Sequence, residues 1–161
     1  MRVREDTVVR PDGKPGIYGL VEKGIATGVV ALSADMEVYL VGQYRYTTSS
    51  YSWEIVEGGA EEGESPIEAA KRELYEEVGL RANKWSALGG CIHLTNCISS
   101  EEARIFLAQD LTQGQPHPEA TEILEVRRVP LTEAYRMIDQ HEITDAVSIL
   151  ALFFLKDRLK S

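Results

Sequence analysis

Glu73, Glu76 and Glu77 stand at helical spacings i, i+3 and i+4, with Arg72 immediately before them and Glu64 further upstream. On a helix these carboxylates share one face, where like charges one turn apart repel. A hard divalent cation reconciles such a face. Mg²⁺ binds through a few carboxylates, keeps several waters and takes phosphate oxygens as further ligands. Arg72 precedes Glu76 by one helical turn and can hold that carboxylate in place. For a Glu-rich helix taken by itself, a solvated acidic surface is the commoner explanation.

The element that must carry these groups has clear ends. Ser65 suits an N-cap, Pro66 the first helical position, and Glu68 the return partner of a capping box. Gly79 suits a left-handed stop. The spacing predicts a helix over 66–78, with Ile67, Ala70, Leu74 and Val78 on one apolar face.

Taken whole, the stretch 58–80, GGAEEGESPIEAAKRELYEEVGL, resembles the Nudix box. That pattern runs Gly, five residues, Glu, seven residues, then Arg-Glu-apolar-x-Glu-Glu-x-Gly-apolar. Gly58, Glu64, Arg72, Glu73, Leu74, Glu76, Glu77, Gly79 and Leu80 meet it at every position. A chance match in a chain of this length is on the order of one in a million. The resemblance implies an α/β/α sandwich around a mixed sheet, with the box as loop–helix–loop. It also implies hydrolysis of a nucleoside diphosphate linked to another group.

The composition agrees with one globular domain over 1–161. A formal charge of −9 argues against nucleic acid or an anionic membrane as partner, since both need a basic face. A small phosphate substrate stays compatible, because bound metal inverts the local field. The first residues contain no apolar signal region, and the run 146–155 is too short to span a bilayer. Together with only two cysteines, this gives the expectation of a cytoplasmic protein with free thiols. Cys91, His93, Thr95 and Cys97 alternate as if on one strand face. Side chains two apart on one strand do not readily wrap a tetrahedron, so they read as buried or half-buried strand residues rather than a zinc site.

Along the chain, 5–10 and 17–22 read as a hairpin around a Pro-Asp-Gly turn, suited to pack on a partner subunit. Strands follow at 26–32 and 37–44, a polar loop at 47–52, and a lead into the box at 53–56. After the box come a strand at 85–94 with a bulge at Gly89-Gly90, a polar loop at 95–102, and a strand at 103–109. A loop at 114–121 carries Glu119, and 122–129 reads as a strand ended by Pro130. Helices follow at 132–140 and 144–159, each with a threonine at or near its cap. Strands mixed with a few helices give an α+β fold.

Outside the box the chain is similar to the ADP-ribose and nucleoside-diphosphate-sugar branch of the family. Gln43-Tyr44-Arg45 before the box, Glu54, Ser99-Ser100-Glu101 ahead of Phe106-Leu107-Ala108, and Glu122 ahead of an apolar run carry that likeness. The resemblance implies Mg²⁺, with Mn²⁺ as a substitute, on Glu73, Glu77, Glu76 and the carbonyl of Glu57. Glu64 is left between a water-mediated ligand and a structural role. Arg72 would orient the carboxylates. Glu122 or Glu119 would be a general base, Glu122 fitting the family position better. Arg45, Glu54 and Glu101 would meet the substrate. Tyr44, Tyr46 and Trp53 are open both to stacking on a base and to packing. Such enzymes are usually homodimers whose sites borrow partner residues. One departure matters: members preferring ADP-ribose carry a proline sixteen residues past the box, where this chain has Asn96. That departure points to nucleotide sugars as the wider class. The rival readings are ADP-ribose or another Nudix substrate, and a nucleotide-binding domain without catalysis.

Overall fold

A computed structural model of the protein describes residues 1–114 and 124–160. Among these residues the strands fall into a two-stranded hairpin, a four-stranded sheet and a three-stranded sheet. The hairpin joins β1 (Arg2–Val9) to β2 (Pro15–Glu22), antiparallel, around the turn at Asp12-Gly13. It carries exposed Val3, Val9, Ile17 and Tyr18.

The four-stranded sheet runs β6 (Val56–Gly59), β3 (Ile25–Ala31), β8 (Glu102–Gln113), β7 (Leu80–His93). Its β3/β8 pair is parallel and its other pairs antiparallel, so the sheet is mixed as expected. The three-stranded sheet runs β5 (Ser50–Glu54), β4 (Glu37–Arg45), β9 (Glu125–Pro130).

Alternation along the strands sorts the core into two layers. Val29, Ala31 and Ala108 face α1 (Pro66–Val78) and meet its Ala70, Leu74 and Val78. Val30, Ile105 and Leu107 face the other way, onto α2 (Leu131–Asp139) and α3 (Ala146–Arg158) through Met137, Val147, Ala151 and Leu155. In β4, Val38 and Leu40 join the α3 layer while Tyr39 and Val41 join the α1 layer, as a period of two requires. Burying one such leucine or valine stabilises the fold by about 1.5–3 kcal/mol. Helices thus cover both faces of the sheet.

Several boundaries differ from the sequence reading. The polar stretch 47–52 is not all loop: β5 begins at Ser50 and pairs with β4 through Tyr44↔Tyr51 and Arg45↔Ser50. It is an edge strand, and its solvent-facing polar residues hide the usual apolar signal. Strand β7 starts at Leu80, directly after the helix stop, and its register shifts between Leu88 and Ile92, where the two glycines stand. The cap of α3 is Asp145, whose carboxylate accepts from the Ser148 N–H at 2.7 Å. Cys91 and Cys97 are both exposed, against the expectation of burial. The strand ends at His93, so Thr95 and Cys97 lie in the following turn.

Ser148 ties α3 to the chain ahead of the box. Its hydroxyl accepts from the Ile55 N–H at 3.0 Å and donates to Glu57 Oε1 at 2.7 Å, in a fully buried position. Ile55 is where the chain leaves one sheet for the other, between β5 and β6. Ser148→Ala strands both partners away from water, which costs about 1–3 kcal/mol. The expected result is a thermal midpoint lowered by about 2–4 °C for each kcal/mol lost, read by circular dichroism. An unchanged midpoint would show that this link does not hold the sheet switch.

Candidate active site

Helix α1 begins and ends where its sequence signals stand. The Glu68 carboxylate accepts from both the backbone N–H and the hydroxyl of Ser65. Gly79 has φ 71°, and its N–H closes the last turn on Tyr75 O at 2.9 Å. A side chain there would strain the stop. The helix packs against β6, and the closest approach falls at Gly58. A Cβ built on Gly58 would overlap the Glu73 carboxyl group. The box glycine leaves the room that the Glu73 carboxyl occupies.

Arg72 is the hub of the acidic face. Its guanidinium donates to Glu64 Oε1 and Oε2 at 3.1 and 3.0 Å, to Glu73 Oε1 at 2.7 Å, to Glu76 Oε2 at 3.0 Å, and to the Gly59 carbonyl at 2.8 Å. These bonds, led by those to Glu64, raise the Arg72 pKa still further. The same pair holds the Glu64 carboxyl below the usual carboxylate range. Glu64 also accepts from the Glu61 N–H at 3.0 Å, which fastens the loop before the helix. Glu77 is buried on the same helix. This donor set is all carboxylate oxygen, beside a glycine cradle filled by one of those carboxylates. It fits a hard divalent ion such as Mg²⁺.

The sheet switch at Ile55 brings a second group of residues to the same edge. Arg45 at the end of β4 donates through Nε to Glu54 at 2.9 and 3.1 Å, and its Nη2 pairs with Glu54 as well. Glu54 is buried and Arg45 half exposed. The bond to Glu54 raises the Arg45 pKa despite partial burial. Glu57 is half-buried as a residue, but its carboxyl end is enclosed. Burial first, and then the neighbouring Asp145 carboxylate, push its pKa well above the usual carboxylate range.

A cleft of about 360 Å³ opens between these groups. Lys23, Ile25, Arg45, Glu57, Gly58 and Glu101 are among its lining residues. Lys23 and Glu101, both lining it, form an ion pair. The size falls within the roughly 300–1,000 Å³ of small-molecule sites.

The structure thus brings Arg45, Glu57 and Glu101 to one cleft, with Glu54 behind Arg45 as its carboxylate partner, beside the loop and helix that carry Glu64, Arg72, Glu73, Glu76 and Glu77. It treats the aromatic candidates unequally. Tyr44 and Tyr46 are 61% and 89% exposed and available for contact. Trp53 is 6% exposed, lies under Arg127 and meets Tyr51 edge to face, so its ring packs the core rather than offering a stacking surface. Glu119 and Glu122 lie outside the described residues. Sequence reasoning missed Lys23, signalled by the Lys-Gly pair between two strand runs, and Asp145, signalled by its place at a helix start.

Comparisons agree with this geometry. The family described as NUDIX domain matches residues 22–152, and the family described as nucleoside diphosphate sugar hydrolase N-terminal domain matches residues 1–21. An ADP-ribose pyrophosphatase of Mycobacterium tuberculosis is 34% identical over 91% of this chain and 72% of its own. ADP compounds hydrolase NudE of Escherichia coli is 32% identical over 78% of this chain and 67% of its own. A crystal structure of an ADP compounds hydrolase superposes with a TM-score of 0.87 at 28% identity, covering 98% of this chain and 85% of that one. Nudix hydrolases generally use divalent metal cations, in keeping with the carboxylate face of α1. With the complete box held on a helix between two sheets and a family match across most of its length, the chain belongs to the Nudix hydrolase family.

Proposed function

We propose that the protein hydrolyses the diphosphate linkage of nucleoside diphosphate sugars, with Mg²⁺, to a nucleoside monophosphate and a sugar phosphate. The observation that carries this is the intact carboxylate set of α1, held by Arg72, beside a cleft lined by Arg45, Lys23 and Glu101. ADP-linked sugars, ADP-ribose among them, are the first candidates, because two of the relatives are named for ADP-ribose or ADP compounds.

Metal ions on Glu73, Glu77 and Glu76, with the Glu57 carbonyl, would neutralise the diphosphate and lower the pKa of an attacking water. Mn²⁺ would serve in place of Mg²⁺. The chain's own residues do the rest. Arg72 keeps Glu73 and Glu76 in register through one nitrogen, Nη1, so neither swings into solvent. Glu64 anchors Arg72 from the loop side and serves structure. Arg45, fixed by Glu54, presents its free guanidinium edge to phosphate oxygens. Lys23 adds a second positive charge and Glu101 an acceptor for sugar hydroxyls. Exposed Tyr44 and Tyr46 supply faces for a base. Glu122, with Glu119 as the alternative, would take the proton from the attacking water.

The exposed apolar residues of the β1–β2 hairpin suit a second copy of this chain. A homodimer is expected, with twice the 17.9 kDa chain mass in light scattering. A monomer at working concentration would remove this part of the reading.

Substrate choice is tested with UDP-, GDP-, ADP- and CDP-sugars plus ADP-ribose, with products separated by chromatography. Cleavage of several sugars is expected if Asn96 marks relaxed selectivity. Cleavage of ADP-ribose alone would show that Asn96 carries no such meaning and would overturn the wider class.

A further inference from the structure

The strand pair β7–β8 holds a second cluster of metal-donor side chains, away from the acidic face of α1. Cys91 Sγ, a ring nitrogen of His93 and a carboxylate oxygen of Glu102 lie within 4.8 Å of one another. His93 and Glu102 are directly paired across the two strands, just beyond the register shift. Ile92 and Ala103 pack into the α3 layer, so their neighbours project from the opposite face of the sheet. The alternating residues of β7 alone would not enclose an ion. The third donor comes from the adjacent strand, on a backbone fixed by ladder hydrogen bonds.

We propose that Cys91, His93 and Glu102 form a binding site for a thiophilic divalent cation of the zinc class, with water completing the coordination. The donor types are thiolate, imidazole and carboxylate, the set zinc takes at about 2.0–2.3 Å. A tetrahedron of that radius needs donors about 3.5 Å apart, so rotations about side-chain bonds close the remaining gap. Mg²⁺ is the wrong ion here, because it selects oxygen and leaves sulfur. Arg104 Nη2 donates to Glu102 Oε2 at 3.0 Å. It engages one Glu102 oxygen and leaves the other for the ion. Glu102 adjoins Glu101, which lines the cleft, so an ion here would stiffen the start of β8 beside the substrate site.

The test is a titration of the reduced, metal-free full chain with Co²⁺, followed by Zn²⁺. One equivalent of Co²⁺ is expected to give a thiolate-to-cobalt charge-transfer band in the near ultraviolet and intense tetrahedral bands in the visible, both removed by Zn²⁺. The oxygen ligands of α1 cannot produce the thiolate band. Cys91→Ser should abolish it, and His93→Ala or Glu102→Gln should weaken Co²⁺ binding about tenfold or more. Cys97→Ser should leave it unchanged. Cys91 and His93 are exposed and Glu102 is only partly covered, so these variants keep the fold, checked by circular dichroism. A wild type without the band overturns the site. So does a band that survives Cys91→Ser, or an affinity indifferent to Glu102→Gln.

Discussion

Glu77→Gln is expected to lower kcat/KM by about a thousandfold or more, equivalent to about 4 kcal/mol of transition-state stabilisation. Glutamine keeps the size and most of the packing of the buried side chain and removes only its charge. That charge sits on the helix face where Glu73 and Glu76 are already held by one guanidinium. In the proposed reaction the negative charge of that face would hold a divalent ion, which would supply charge neutralisation at the diphosphate. The thermal midpoint should hold or rise, because a buried carboxylate is costly to keep ionised. Steady-state rates on an ADP-sugar at saturating Mg²⁺, read beside a thermal melt, check both halves. Full activity in the variant would remove Glu77 from the metal assignment.

Gly58→Ala should be nearly as damaging, for a steric reason. The added methyl would occupy the volume of the Glu73 carboxyl. Relief requires either Glu73 to rotate away or β6 to move off α1. The strand is held by its pairing with β3, Thr27↔Gly58 and Gly28↔Glu57, and by the Thr27 hydroxyl donating to Gly58 O at 3.2 Å. Glu73 is the softer element, so it moves, breaking its bond to Arg72. Activity is expected to fall about a hundredfold, with a thermal midpoint lowered by a few degrees. A variant with normal kcat and normal stability would show that the contact is not a constraint in solution.

These residues also show how far the sequence could be read. The bounds of α1 were legible because Ser65, Pro66, Glu68 and Gly79 are local signals acting within one turn. The hairpin at Asp12-Gly13 and the bulge near Gly89-Gly90 were legible for the same reason. Contacts made across strands were not. That Gly58 makes room for Glu73, that Arg45 is fixed by Glu54, and that Glu102 joins Cys91 and His93 all depend on register, which residue types do not encode. The start of edge strand β5 was missed because its pairing is made by backbone groups while Ser50 and Tyr51 are exposed. Trp53 could be read as a surface for a base or as core, and only the placement of Arg127 and Tyr51 around it decides for packing. Ser148, inside an apolar helix, gave no sign that it ties the sheet switch at Ile55 to α3.

The most direct measurement is product analysis after incubating the wild-type protein with an ADP-sugar, with Mg²⁺ and with a chelator. AMP and sugar phosphate in equal amounts, formed only with the metal, are the expected result. An intact substrate in both samples, or free phosphate released from a chain end, would contradict a metal-dependent cut within the diphosphate.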